Sequence, residues 1–446
     1  MTNDKSGKIL ILQNILRVMA VLVLKKYKPK IVGITGSVGK TSAKEAVFSV
    51  LKSKFRVRRT DKNYNNEIGL PLTIIGADSG EDSLWRWLAV FLKWAWVMVA
   101  PVKYPEMLVL EMGADRPGDI KYLTGFIRSD AAVITDISSS HMEFFKNIES
   151  VAKEKGILVK ELDEKGLAVI NADNPYVAKI NPAGNQLKCN VVTFGFSEEA
   201  QMRATDISFS YADDDGQSLK GLSFKLNYKG TTIPVRLNNV LAKHQIYAAL
   251  AAAAVGTGFG INLVEAATAL ENFSLPYGRM NPIAGIRNSL IIDDTYNSSP
   301  TSASAALDAL GEIAASGGKY SRKIAVLGDM LELGDESAEK HRSVGRKFSQ
   351  IKGDLFFAVG KRMREAVEEL RGSGFPQKNV FHFESPAEAG KKVREIIREG
   401  DLVLVKGSQG MRMEKVVEEI MAEPSEAGKL LCRQSAHWRE VPWKVV

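Results

Sequence analysis

Cysteine is nearly absent from this 446-residue chain, with Cys189 and Cys432 the only two. They stand far apart, in neither a metal spacing nor a disulfide framework. Thiol chemistry and a disulfide scaffold are thereby excluded, and a reducing compartment is implied. Long apolar runs are missing too. The segment "KILILQNILRVMAVLVLKKYKPK" is interrupted by Gln13, Asn14 and Arg17, so its unbroken part falls short of the ~20 residues of a spanning helix. No small-residue cleavage site follows it, and no secretory leader is expected. Positive charge exceeds negative by 8, which suits anionic lipid or phosphorylated partners. The lysines and arginines are scattered rather than massed, so nucleic acid is not an expected partner. Internal repeats and long low-complexity linkers are also lacking.

What remains is an ordinary soluble-enzyme composition, 45% hydrophobic and 25% charged, in a chain too long for one core. From Lys30 onward short apolar runs alternate with amphipathic stretches, the pattern of a parallel α/β sheet. "KIVGIT", "EMLVLEMGA" and "DAAVITDI" read as strands, and "SAKEAVFSVLKSK" as a helix. Glu111 and Asp136 then fall at carboxyl edges of strands, where such sheets collect ligands. Residues 200–240 read as hairpins around polar turns, and "HQIYAALAAAAVGTGFG" as a small-residue helix. A second α/β series runs through "SLIIDDTYNSSP", "RKIAVLGDM", "GDLFFAVG" and "GDLVLVKGS". The expected fold is α/β: a central P-loop-type ATPase domain with a mostly parallel sheet, then a Rossmann-like α/β domain. The expected divisions are a basic apolar helix at 1–29, the central domain at 30–275, the C-terminal domain at 276–423 and a tail at 424–446.

The chemistry starts at "IVGITGSVGKTSAKEAV", residues 31–47. Gly36 and Gly39 let backbone N–H groups approach phosphate oxygens. Lys40 offers a charge for the outer phosphates, Thr41 a hydroxyl for Mg²⁺, and the helix that follows its dipole. Ser37 and Ser42 flank them in the same loop. The spacing departs from the strict G-x-x-x-x-G-K-[ST] pattern, because Ile34 stands where its first glycine would be.

That shorter loop, "TGSVGKT", resembles the loop of the Mur ligase family, the ATP-dependent amide-bond formers of peptidoglycan synthesis, and is shared with folylpolyglutamate synthases. The likeness continues through "TDKNYNNEIGLPLT", "LVLEMGADRPGDI", "ISSSHMEFF" and "VAKEKG". It then runs through "YGRMNPIAG", "IIDDTYNSSP", "IAVLGDMLELGDESAEKHR" and "VLVKGSQGMRM", from about residue 30 to 420. Within the family these motifs resemble the members that add D-alanyl-D-alanine. The resemblance implies that ATP converts a peptide carboxylate to an acyl phosphate, which the amine of a D-Ala-D-Ala-like dipeptide attacks on a muramyl-peptide acyl substrate. It implies catalytic roles for Lys40, Glu111, His141 and Lys155. Mg²⁺, as two ions, would be held by Thr41, Glu111, His141 and Lys155, with Lys155 as its carbamate. Nucleotide contacts would come from Gly36, Ser37, Gly39, Lys40, Thr41, Ser42, Gln245, Arg279 and Asp294. Substrate contacts would come from Asn63, Asn65, Asn66, Tyr296, Asn297 and Lys406. Gln245 stands where the family carries an asparagine, and Ile157 where a glutamate follows Lys-Gly. Two alternatives stay open: another amino-acid-adding ligase with the same loop, and a nucleotide-binding scaffold at a membrane surface.

Only about thirty residues precede the strand before the loop, too few for the family's uridine-nucleotide-binding domain. In its place stand the basic apolar segment, with Ile9, Leu12, Ile15, Leu16, Met19 and Val23 at helical spacing, and "LWRWLAVFLKWAWVMVAP" at 84–101. The second holds four of the six tryptophans. Segments 9–24 and 84–101 are expected to touch a membrane interface or a partner protein, or to pack on each other. The expected location is the cytoplasm, or the inner face of the plasma membrane.

Overall fold

The computed structural model describes residues 2–61, 64–81, 83–138, 144–181, 187–211, 219–435, 438 and 441. The chain forms two compact units. The first takes Met1–Asp206, Phe224–Val235 and Ile246–Phe273; the second takes Ile207–Ser223, Arg236–Gln245 and Ser274–Val446.

In chain order the first unit starts with α1 (Thr2–Tyr27), β1 (Lys30–Thr35), α2 (Lys40–Lys52), β2 (Val57–Arg59), α3 (Gly69–Ile75) and α4 (Leu84–Val99). It continues with β3 (Met107–Glu111), α5 (Asp119–Thr124), β4 (Ala131–Ile134), α6 (Ile148–Lys160), β5 (Leu167–Asn171), α7 (Pro175–Ala178) and β6 (Asn190–Gly195). Strands β7 (Met202–Tyr211), β8 (Leu219–Tyr228) and β9 (Thr231–Asn238) contribute residues to both units, and α8 (Ile246–Gly258) and α9 (Leu263–Glu271) complete the first. The sheet order is β2-β3-β1-β4-β5-β6-β7-β8-β9, with β1 between β3 and β4 and both pairings parallel. Strands β1, β3 and β4 are buried along almost their whole length. Helices cover both faces, so these strands read as unbroken apolar runs instead of alternating ones. The alanines of α8 let α2 approach closely: a Cβ on Gly256 would lie 2.6 Å from Val50.

Helix α1 packs on α3 and α4. Leu16, Met19, Ala20 and Val23 are buried there, Trp94 donates its indole N–H to the Met19 carbonyl at 3.2 Å, and the Tyr27 hydroxyl donates to the Val97 carbonyl at 2.5 Å. The two segments therefore do touch each other. Ile9 and Ile15, expected on the same face as Leu16, are exposed instead, because α3 and α4 cover one side of the helix. Among the described residues no helix is long and apolar enough to cross a membrane.

The second unit's own elements are β10 (Asn281–Ala284), β11 (Leu290–Asp294), α10 (Pro300–Ala315), β12 (Arg322–Gly328), α11 (Ser337–Gln350), β13 (Leu355–Val359) and α12 (Arg364–Gly372). After them come β14 (Val380–Phe383), α13 (Pro386–Ile396), β15 (Asp401–Lys406), α14 (Glu414–Ile420) and α15 (Ala427–Leu430). Their sheet order is β10-β11-β15-β12-β13-β14, antiparallel only at β10–β11. Alternate residues of each strand feed two cores: Ile292 and Leu404 lie with α10–α12, Ile291 and Val403 with α13–α15. That is the doubly wound arrangement, which collects ligands at the carboxyl edge of its strands.

Candidate functional site

In the first unit the carboxyl end of β1 runs into the loop at 36–39 and then α2. A Cβ on Gly36 would fall 2.0 Å from the Thr135 hydroxyl, so only glycine fits against β4. Gly39 has φ of +83° at the start of α2, a left-handed conformation that glycine adopts without strain. Thr135 pins the turn by donating to the Val38 carbonyl at 2.6 Å. Ser37 donates its N–H to the Asp136 carbonyl at 2.7 Å and its hydroxyl to the Ser138 carbonyl at 3.1 Å. Lys40 folds back onto the loop, donating to the carbonyls of Gly36 at 2.7 Å and Ser37 at 3.2 Å. A cation held over a glycine turn at a helix start suits the oxygens of a phosphate. Ser42 lies in the first turn of α2.

Next to this turn, Thr41 donates to Glu111 at 3.2 Å, across from α2 to the end of β3. Glu111 is buried and is held on its other oxygen by Lys44 at 3.7 Å. Lys44 also donates to the Thr60 carbonyl at 2.8 Å, and the Glu111 N–H donates to the Thr60 hydroxyl at 3.1 Å. One hydroxyl and one carboxylate beside that glycine turn suit Mg²⁺, which prefers hard oxygens and completes its shell with water and phosphate. Among the described residues no group of three His, Cys, Asp or Glu side chains is placed to hold a metal; His141 lies outside the described residues.

Lys155 sits on α6 with 1% of its surface exposed. Its ammonium has no hydrogen-bond or ion-pair partner among the described residues. Burial, then the charge of Lys40, pushes its pKa down to about 7. The neighbouring Glu154 accepts from the N–H groups of Gly118 and Ile120 at 3.0 and 2.8 Å, so its charge is spent on the start of α5. Asn65 accepts from Gly113 N–H at 2.8 Å through its carbonyl, which sets it beside the end of β3. The Asn66 side chain accepts from the N–H groups of Ile68 and Gly69 at 3.2 and 3.0 Å, a turn-forming use of a short amide. Asn63 lies outside the described residues.

The remaining candidates belong to the second unit. β11 and β15 run parallel with Asp294 opposite Lys406, and the buried pair closes at 2.7 Å. Lys406 also donates to the Asn297 carbonyl at 2.8 Å, and burial lowers its pKa. The Arg279 guanidinium stacks 4.2 Å from the Tyr296 ring. Gln245 is buried and donates to the Arg279 carbonyl at 3.5 Å. Its amide oxygen has no partner among the described residues, which leaves an acceptor available to an N–H donor.

Three supporting residues escaped sequence reasoning. Lys44 and Thr60 hold Glu111, and a buried lysine four positions after Lys40 on one helix face was the available signal for the first. Arg433, far along the tail, donates to the Thr295 and Tyr296 carbonyls and to Glu414; nothing in its local sequence announces that.

Residues 95–256 match the Mur ligase middle domain, and 278–409 the glutamate ligase domain of Mur ligases. The UDP-N-acetylmuramoyl-tripeptide--D-alanyl-D-alanine ligase of Bacillus subtilis (strain 168) is 32% identical over 409 residues, spanning 92% of this chain and 79% of that protein. The crystal structure of MurF ligase from Thermotoga maritima in complex with ADP superposes with a TM-score of 0.72 at 27% identity, over 91% of this chain and 83% of that one. MurF from Acinetobacter baumannii superposes with 0.74 at 24% identity, over 92% and 81%; this last likeness speaks to the fold.

Proposed function

The chain belongs to the Mur ligase family, and from that premise we propose that it is an ATP-dependent ligase of peptidoglycan precursor synthesis. Its amide bond joins the peptide carboxylate of a muramyl-peptide substrate to D-alanyl-D-alanine or a similar dipeptide. The observation that carries this reading is the glycine cradle with Lys40 above it and the Thr41–Glu111 pair at 3.2 Å beside it. The likeness to a UDP-N-acetylmuramoyl-tripeptide--D-alanyl-D-alanine ligase, over 92% of this chain and 79% of that protein, supports the choice of dipeptide.

A carboxylate is a poor acyl donor, so the γ-phosphoryl group of ATP first moves to its oxygen and ADP departs. The dipeptide amine then attacks the acyl carbon, and phosphate leaves as the amide forms. Both steps gather negative charge on phosphoryl oxygens. Lys40, released from the loop carbonyls, sets a positive charge there, and the N–H groups of 38–41 add theirs. Thr41 and Glu111 would hold Mg²⁺, which neutralises phosphate charge when bound; His141 joins this set by resemblance. Lys155 is assigned to the same set as its carbamate. Its burial and lowered pKa support that, since an uncharged amine is the form that takes up CO₂ and an ammonium would repel the ion.

Gln245 is assigned to the nucleotide base, Arg279 to the nucleotide and Asp294 to its ribose. The unpartnered Gln245 oxygen supports the first, because an exocyclic amine is the donor it needs. Tyr296, Asn297, Lys406, Asn63, Asn65 and Asn66 are assigned to the acyl and dipeptide substrates. The cytoplasm, which supplies ATP, is the proposed location. Calorimetric titration with ADP tests the nucleotide half of the reading. The full chain binds ADP, and Lys40→Ala with Thr41→Val weakens that binding; a wild-type chain with no affinity for ADP or ATP contradicts it.

A further inference from the structure

Helix α4 is unusual in being apolar on the side it shows to solvent. Trp85, Leu88 or Ala89, Leu92, Trp96 and Val99 recur at three- and four-residue steps, which places them on one face. All six are exposed, Trp85 by 82% and Trp96 by 63%. The opposite face, with Val90, Trp94 and Val97, packs inward on α1 and α3. The partner helix repeats the pattern: Ile11, Ile15, Val18 and Leu22 form an exposed row on α1, with Ile11 62% and Val18 58% exposed. A surface helix of a globular protein carries its apolar stripe inward, so two outward stripes on packed neighbours mark a contact surface.

Within the two segments that carry these stripes every charged residue is basic. No Asp or Glu occurs between Lys5 and Lys44, nor between Leu84 and Pro105. The side chains of Lys25, Lys28, Lys93 and Lys103 are exposed and make no hydrogen bond or ion pair among the described residues. Lys26 is held by the Val97 and Met98 carbonyls, Lys30 by Asp130 and Arg86 by Glu81. A shallow recess along α1 adds Arg17 and Lys25 beside Asn14, Val18, Val21 and Leu22. This combination separates the occupants. A second copy of the chain would bring the same positive charge to a positive face, whereas an anionic bilayer offers the opposite charge and an apolar layer beneath it. Tryptophans at the edge of an apolar stripe favour the headgroup boundary, and long cationic side chains reach from such a stripe to phosphates. The 16 residues of α4 are too few to span the ~30 Å hydrocarbon layer, so the helix would lie in the interface plane.

We propose that the exposed faces of α1 and α4 form a docking surface for an anionic lipid bilayer, on which the enzyme rests peripherally. The test is co-sedimentation of the full chain with vesicles of phosphatidylcholine alone and of phosphatidylcholine mixed with phosphatidylglycerol. Binding to the anionic vesicles is expected, with little to the neutral ones, and it weakens with salt. Lys25→Gln and Lys93→Gln each reduce affinity about fivefold. Trp85→Ser with Trp96→Ser removes binding while ADP affinity, a measure of the folded nucleotide site, stays at the wild-type value. Absence of vesicle binding, equal binding to neutral and anionic vesicles, or undiminished binding by the double tryptophan variant each overturns the proposal. So does a dimer, seen in sedimentation velocity, that the tryptophan substitutions dissolve in a chain that ignores vesicles; that result gives the surface to a second copy.

Discussion

Burial beside Lys40 brings the Lys155 amine from an ordinary 10.5 to about 7. At neutral pH about half of it is then uncharged, roughly a thousandfold more than for an exposed lysine. The uncharged amine adds CO₂, so Lys155 is predicted to carry a carbamate that other lysines do not. The full chain equilibrated with ¹³C-bicarbonate would show one protected carbamate carbon by NMR, growing as pH rises through 7 and absent from Lys155→Met. The same group sets a stability trend in CO₂-free buffer. Its folded pKa lies below its unfolded one, so the unfolded chain binds more protons between about pH 7 and 10.5. The cost of burying the ammonium is therefore full below pH 7, on the order of 5 kcal/mol, and fades as pH rises toward 10.5. Lys155→Met should exceed the wild type in denaturant resistance at acidic pH, and the gap should close in alkali. A Lys155 that titrates near 10.5, or takes up no label under saturating bicarbonate, refutes the reasoning.

Lys40→Ala keeps the fold, because the side chain is only partly buried and donates to carbonyls of its own loop. Turnover measured by phosphate release should drop about a hundredfold to a thousandfold, the usual loss when one charge-stabilising donor is removed. Asp293 is fully buried, has one oxygen without a partner among the described residues, and has its carboxyl pushed up to about 7 by burial. Between roughly pH 4 and 7 the unfolded chain gives up this proton first, so stability falls as pH rises. Asp293→Asn should flatten that slope in urea melts, and an unchanged slope counts against it. Asn262 and Glu265 form a reciprocal cap on α9, with bonds of 2.9 Å each way. Asn262→Ala should cost about 1 kcal/mol by chemical denaturation, with phosphate release unchanged.

Most strands could be read directly. "KIVGIT", "RKIAVLG" and "GDLVLVK" fall on β1, β12 and β15, since strands covered on both faces must be apolar throughout. The glycine turn between β1 and α2 was legible for a related reason: two glycines between a buried apolar run and an amphipathic stretch mark a tight strand–helix turn. Strand order was not legible, because β1 pairs with β3 and β4 across long connections that leave no local trace. Nor was the inward face of α1. Its apolar residues surround the helix, and only the positions of α3 and α4 decide that Leu16 is buried and Ile15 exposed. The support of Glu111 by Lys44 and Thr60 depends on three elements meeting, α2, the segment after β2, and β3. The buried state of Lys155 likewise belongs to packing around α6, not to the motif that contains it.

The most direct measurement is phosphate release from ATP by the full chain, supplied with D-Ala-D-Ala and a UDP-muramoyl-tripeptide separately and together. The account predicts release only with both, in step with formation of a new amide that mass spectrometry detects as the joined product. ATP turnover indifferent to every pairing of dipeptide with muramyl peptide, or none at all by a chain that binds ADP, would contradict it.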